Sequence, residues 1–244
     1  MATDVIIRCR GLTKTYRMGN QDVRALHDVD LDVFRGEYLS VMGPSGSGKS
    51  TLFNMIGALD RPTGGTVQIA GVDLTTLGSL ELAYIRNHHI GYIFQAFNLI
   101  PSLTALRNVM LPLLFSGMDN HAATQRAAEV LTEVGLEHRL THRPDELSGG
   151  QQQRVAIARG LAMNPDIMLA DEPTANLDLH TGEEIINTLR ALRDHHGVTV
   201  ITATHDHKML DKSDRILWIK DGGVDRLQER SELDIRVGSV EHRA

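Results

Sequence analysis

The sequence predicts an α/β fold with a parallel-sheet core, an antiparallel β layer at the N-terminus and an inserted α-helical subdomain. Three observations carry that expectation. The apolar run "YLSVM" (38–42) leads into a glycine-rich loop, after which Leu52, Phe53, Met55, Ile56 and Leu59 recur at helical spacing. Two further apolar runs, "IMLA" (167–170) and "VTVITAT" (198–204), read as buried strands, with a helical pattern from about 181 to 195 between them. Near the start, Val29, Leu31 and Val33 alternate with Asp30 and Asp32, the period of a half-buried strand.

The other elements follow in order. "RMGNQD" is a turn within the first layer, "RPTGGT" is a second turn, and "TVQIAG" returns as a strand. From about 98 to 160 the apolar positions favour helices, with Pro101, Pro112 and Pro144 as breakers. "RILWIKDGGV" closes as a hairpin, and "RSELDIRVGSVEHRA" has no clear periodic pattern and reads as a mobile tail. We expect residues 1–244 to form a single domain. Within it, about 1–94 and 163–225 form a core, about 95–162 a helical subdomain, and about 226–244 the C-terminal tail.

Composition bounds the partners. The 244 residues include 41% apolar and 23% charged side chains, within the range of ordinary globular proteins, so a sizeable core can be buried. The formal net charge of -6 provides no basic field for phosphate backbones, and no nucleic-acid partner is expected. Cys9 is the single cysteine, and "MATDVIIRCRG" has no apolar export segment, which points to a cytoplasmic protein. The apolar stretch "VMLPLLF" (109–115) is far shorter than the roughly 18 to 20 residues that span a bilayer. Any membrane role is expected to come through a partner. Adjacent pairs His88-His89 and His195-His196 lack helical spacing and read as solvated surface, and the nine methionines as core filler.

The motifs carry the chemistry. "GPSGSGKST" (43–51) fills the pattern G-x-x-x-x-G-K-[ST] with Gly43, Gly48, Lys49 and Ser50. Set between a strand and a helix, it is the phosphate loop of a P-loop NTPase core. The stretch Gly43, Pro44, Ser45, Gly46, Ser47, Gly48, Lys49, Ser50 and Thr51 would wrap a nucleotide's phosphates, because backbone N–H groups at a helix start favour anions. Lys49 would reach the β and γ phosphates, and the Ser50 hydroxyl would ligate Mg²⁺. "DIMLADEP" supplies Asp171 as a second Mg²⁺ partner and Glu172 as a base for the attacking water. In "LSGGQQQR" (147–154), Ser148 and Gln151 form a capping box and Gly149 and Gly150 leave the backbone bare, making a second anion-binding helix start.

With that stretch the chain resembles the ATP-binding cassette ATPases over nearly its whole length, since "LSGGQ" is their signature motif. The resemblance implies two ATP molecules sandwiched in a head-to-tail homodimer, the signature of one subunit closing on the phosphate loop of the other. It also implies residue roles. Tyr16 in "KTYRMG" would stack on adenine, giving modest discrimination between ATP and GTP. Gln95 in "YIFQAFNLIP" would contact Mg²⁺ or water and link the site to the helical subdomain. Asp178 in "ANLD" would lie on the loop crossing the dimer interface, and His205 in "ATHD" would contact the γ-phosphate and help position the water.

"QAFNLIPSLTALRNVMLPLLFSGM" and "RMGNQDVRALHDVDLDV" resemble the subgroup serving lipoprotein release, macrolide efflux and related export or mechanotransmission complexes. Of the first segment, Phe97, Leu99, Ile100, Leu103, Val109, Met110 and Leu111 are expected to supply part of a groove for integral membrane permease subunits, with core packing as the alternative. The chain would then be cytoplasmic and peripheral on the inner face of the membrane. A non-transport member of the family is the rival reading. The chain lacks the long coiled coil of those acting on DNA and the second cassette of those acting in translation. A GTPase would need an Asn-Lys-x-Asp motif that is missing, and a mere ATP sensor would not need Glu172.

Overall fold

The computed structural model describes residues 4–205, 210–236 and 239–242. In chain order the strands and helices begin with β1 (Val5–Met18), β2 (Gln21–Phe34), β3 (Tyr38–Met42), α1 (Lys49–Ile56), β4 (Gly64–Ile69) and β5 (Val72–Asp73). Next come α2 (Ser79–His89), β6 (Ile90–Ile93), α3 (Ala105–Phe115), α4 (Asn120–Glu133), α5 (Gly149–Leu161) and β7 (Ile167–Asp171). The chain continues through α6 (Leu179–His196), β8 (Thr199–Ala203), β9 (Arg215–Lys220), β10 (Gly223–Glu229), β11 (Leu233–Arg236) and β12 (Ser239–His242).

The expected two-layer plan is present. One sheet, ordered β2-β1-β4-β5, is antiparallel throughout, and Met18 pairs with Gln21 across the "RMGNQD" turn. The second sheet has the order β10-β9-β3-β8-β7-β6, with β9, β3, β8, β7 and β6 parallel and β10 antiparallel at the edge. Every residue of β3 and β8 is buried, because both faces of this sheet are covered. On one face, Leu39, Val41 and Ile201 pack with Phe53 and Ile56 of α1 and with Ile7, Leu31 and Ile69 of the antiparallel layer. On the other, Met168 and Val200 pack with Val109, Leu131, Ile157 and Ile185 from α3, α4, α5 and α6. Cys9 is buried in the first of these clusters, and that burial pushes its thiol up to about 12, so it is an inert core residue.

Several expectations need correction. Pro112 does not break its helix, for α3 runs through it. The missing N–H and the ring clash cost about 3 kcal/mol in a helix interior, and burial of Val109, Met110 and Leu113 offsets that. The same burial removes Val109 and Met110 from the expected groove and places them in the core. The last residues are not a patternless tail. β10 extends to Glu229, and β11 and β12 form a hairpin in which Ile235 pairs with Val240, strands of four residues being too short for alternation to show in the sequence. For the same reason β6 was missed. The histidine pairs are not simply solvated either. His89 Nδ1 lies 2.6 Å from the Asp166 carboxylate, His196 Nε2 lies 3.2 Å from Glu133, and the His88 ring stacks on Tyr84.

Candidate nucleotide-binding site

β3, β7 and β8 are neighbours in the sheet, and all three end on the same edge. From β3 the chain turns through the 43–48 loop into α1. Gly43 has no room for a side chain, since a Cβ there would collide with the Ile219 carbonyl. Gly48 caps α1 with φ 106, and a Cβ would sit 2.7 Å from the Ala25 carbonyl oxygen. No side chain caps α1, so the amides of its first turn are left open toward the loop. Lys49 is 6% exposed and bends back to donate to the carbonyls of Gly43 (2.8 Å) and Pro44 (3.1 Å). Its ammonium thus lies inside the loop's concavity.

Across the sheet, Asp171 is the last residue of β7. Its Oδ1 is buried without a hydrogen-bond partner, and the other side of the Ser47 hydroxyl's loop is no better satisfied, Ser47 Oγ being buried and unpartnered too. Burial pushes the Asp171 carboxyl above the ordinary range. A hydrogen bond with Ser50 pulls it down, the neighbouring Glu172 pushes it up, and Lys49 pulls it down again, but burial wins. A desolvated carboxylate with an unused oxygen, near a hydroxyl at the start of a helix, fits a hard divalent cation such as Mg²⁺. The open amides and the buried lysine fit phosphate.

Glu172 follows in a left-handed conformation, φ 48, which costs on the order of 1–3 kcal/mol and is held by its N–H donating to Ala203 O at 2.9 Å. Its carboxylate lies 3.5 Å from Nδ1 of His205, which follows β8 and is 70% exposed. Acid and imidazole are therefore adjacent at the mouth of the loop. Tyr16, near the end of β1, donates its hydroxyl to Asp60 at 3.0 Å, and Thr51 and Asn54 of α1 are near enough to act on the same hydroxyl, which sets its ring beside the first turns of α1. The Lys14 ammonium lies 4.8 Å from that ring's centre and 2.8 Å from Asp60.

The remaining motif residues lie elsewhere. Gln95 is exposed, with its carbonyl accepting from Asn176 Nδ2 at 2.8 Å. Asp178 caps α6, its carboxylate accepting from Thr181 N (3.0 Å) and Thr181 Oγ1 (2.6 Å), so the side chain is committed to the fold. Ser148 and Gln151 form the expected capping box at α5, with Gln151 N to Ser148 Oγ 3.3 Å and Ser148 N to Gln151 Oε1 3.0 Å. Gly149 faces Leu177, and a Cβ on Gly150 would collide with Thr181, a packing role that sequence reading missed. Among the described residues no hydrogen bond or ion pair joins the 148–151 turn to the phosphate loop. A single chain thus brings Lys49, Ser50, Asp171, Glu172 and His205 to one end of the sheet, and leaves the capped Ser148 turn apart from them.

A family model described as "ABC transporter" matches residues 26–175. The chain belongs to the ABC transporter family. It is 49% identical over 235 residues to MJ0796 of Methanocaldococcus jannaschii, an uncharacterised ABC transporter ATP-binding protein, covering 95% of this chain and all of that one. It is 48% identical over 219 residues to the lipoprotein-releasing system ATP-binding protein LolD of Geobacter metallireducens, covering 90% and 97% respectively. Against the macrolide export ATP-binding/permease protein MacB of Rhodopirellula baltica it is 46% identical over 233 residues, which is 94% of this chain but 34% of that protein. A solved dimeric, post-hydrolysis structure of the MJ0796 cassette bound to ADP and Pi superposes with TM-score 0.86, at 48% identity, over 92% of this chain and 98% of that chain. The protein is an ATP-binding subunit of the ABC transporter type. No helix among the described residues is long and apolar enough to cross a membrane.

Proposed function

We propose that this ABC subunit hydrolyses Mg-ATP as a homodimer, and that closing and reopening of the dimer moves integral membrane permease subunits in export or release. The observation that carries the reading is the unequal state of the two helix starts. The α1 loop holds a buried lysine and faces an unpartnered Asp171 oxygen and a strained Glu172 beside His205, whereas the Ser148 turn is fully formed yet, among the described residues, has no hydrogen bond or ion pair to the phosphate loop of its own chain. Head-to-tail pairing would bring Ser148 and Gly150 of the partner subunit to the triphosphate held by this subunit.

Lys49 and the loop amides would hold the β and γ phosphates, and Tyr16 the adenine ring. Ser50 and Asp171, with Gln95, would hold Mg²⁺, which when bound neutralises charge building on the phosphates. Glu172 would take a proton from the attacking water as its oxygen bonds to the γ-phosphorus, while the bond to the β-phosphate oxygen breaks and its electron pair leaves with ADP. His205, next to Glu172, would orient that water. Asp178 would act through the loop it anchors rather than through its carboxylate. In this reading residues 1–94 and 163–225 form the nucleotide core and 95–162 the subdomain that swings the signature.

A docking groove is available for the membrane subunits. A concavity of about 290 Å³ is lined by Arg86, Tyr92, Phe94, Leu111, Pro112 and Phe115, with Phe115 83% exposed at its rim. Leu111 is the residue from the expected set that lines it. Relatives of the lipoprotein-releasing and macrolide-export type favour solute release over pure force transmission. The subunit would sit in the cytoplasm, peripheral on the inner membrane face.

Gel filtration of Glu172→Gln protein with and without Mg-ATP, beside phosphate release by the unmodified chain, tests the reading. ATP-dependent dimerisation with lost hydrolysis is expected. A variant that stays monomeric and hydrolyses ATP at the unmodified rate would remove both the sandwich and the base.

A further inference from the structure

Phe97 and Asn98 are consecutive non-glycine residues in the left-handed region, with φ 59 and φ 50. Each costs on the order of 1–3 kcal/mol and persists only where the surroundings impose it. The imposing group is Arg159 of α5, whose guanidinium donates to Asn98 O at 2.6 Å and to Phe97 O at 3.0 Å. This arginine is half-buried, and the burial lowers its pKa. Among the described residues no carboxylate forms an ion pair with it. A half-buried cation that, among the described residues, bonds two loop carbonyls and no carboxylate commits its hydrogen bonds to the geometry of that loop.

The other end of the same loop is also tied. Asn176 donates to Gln95 O at 2.8 Å, from the segment that links Glu172 to Asp178. The ring of Phe97 lies against Gly149, in the first turn of the helix that carries Arg159. One short loop is therefore fastened to the signature helix by Arg159 and to the catalytic strand's extension by Asn176.

We infer that Arg159 and Asn176 are positioning residues that hold the 95–98 backbone between α5 and the Glu172–Asp178 segment, and so set where Gln95 stands relative to the nucleotide site. The inference rests on the proposed ATP-hydrolysing dimer. Neither Arg159 nor Asn176 touches the phosphate loop, so ATP binding to the single chain does not depend on them.

The test compares unmodified protein with Arg159→Met, Arg159→Lys and Asn176→Ala in steady-state ATP hydrolysis, nucleotide binding and thermal unfolding. Arg159→Met is expected to lower kcat by about 10- to 100-fold through misplaced reacting groups, with ATP affinity retained. Arg159→Lys, able to reach one carbonyl, recovers part of that loss. Asn176 is exposed, so Asn176→Ala folds normally and lowers kcat while KM and the unfolding temperature stay put. If Arg159→Met fails to fold, the other two variants decide. Unmodified kcat in Asn176→Ala and Arg159→Lys would overturn the inference, as would losses that track unfolding temperature alone. An unmodified chain with neither hydrolysis nor ATP-dependent dimerisation would instead overturn the proposed function.

Discussion

Two aspartates bracket β7 and could hardly be treated more differently. Asp166, just before the strand, accepts from Arg35 at 2.6 Å through one carboxylate oxygen and faces His89 Nδ1 at 2.6 Å through the other, while Thr199 N donates to its carbonyl. Burial alone would push its carboxyl up, but the bonds from His89 and Arg35 hold it below the ordinary range. Asp171, at the far end, is pushed up by burial, and one of its oxygens has no partner. A satisfied acid is part of the fold. An acid that is desolvated and left short of donors or cations is held ready for something that arrives later, and the strained Glu172 beside it belongs to the same end of the sheet.

That contrast can be broken at either end, and the largest effect is expected where chemistry is done. Glu172→Gln should slow phosphate release by about 10²- to 10⁴-fold, the usual contribution of a general base, while nucleotide still binds. A variant with the unmodified rate would remove Glu172 from the reaction. At the structural end, Asp166→Asn should destabilise the chain by about 1 kcal/mol without touching kcat, because Arg35 and His89 lose a charged acceptor that is itself one-third exposed. The sign of its pH dependence is fixed. A carboxyl held low in the folded chain contributes stability above its ordinary pKa, and that contribution fades as pH falls through the folded value, so the difference between variant and unmodified protein should close in acid. A gap in denaturant midpoint that widens in acid would contradict this. An effect of similar size but different origin is expected at α5. Ser148→Ala removes the cap and should cost about 1 kcal/mol in unfolding, together with ATP-dependent dimerisation if the partner's phosphates bind there.

What the sequence showed and what it concealed follow the same division. The phosphate loop, Asp171–Glu172 and the Ser148 capping box were legible because each is contiguous, and because local chemistry dictates glycine, cap and strand residues at fixed offsets. The buried strands were legible as unbroken apolar runs. Concealed were the contacts that join distant positions. Arg35 and Asp166 are 131 residues apart in the chain, and Arg159 meets Asn98 across 61. Nothing local marks Arg159 except a cation inside the apolar run "VAIARGLAM". Pro112 misled because helix interior and helix end look alike when the compensating burial comes from other elements. His89 misled because its partner lies beyond the helix that carries it.

The claim that the β7 terminus is kept unsatisfied for a metal-nucleotide is tested most directly by thermal unfolding of Asp171→Asn against the unmodified chain, each with and without Mg-ATP at neutral pH. A carboxyl raised by burial contributes its full stability below its ordinary pKa, and that contribution is lost as pH rises through the folded value, so at neutral pH the charge is a burden on the empty chain. The account predicts that Asp171→Asn unfolds at a higher temperature than the unmodified chain without ligand, and gains less from Mg-ATP. A variant that is less stable without ligand, yet gains as much from Mg-ATP as the unmodified chain, would make Asp171 a structural acid like Asp166 and contradict the account.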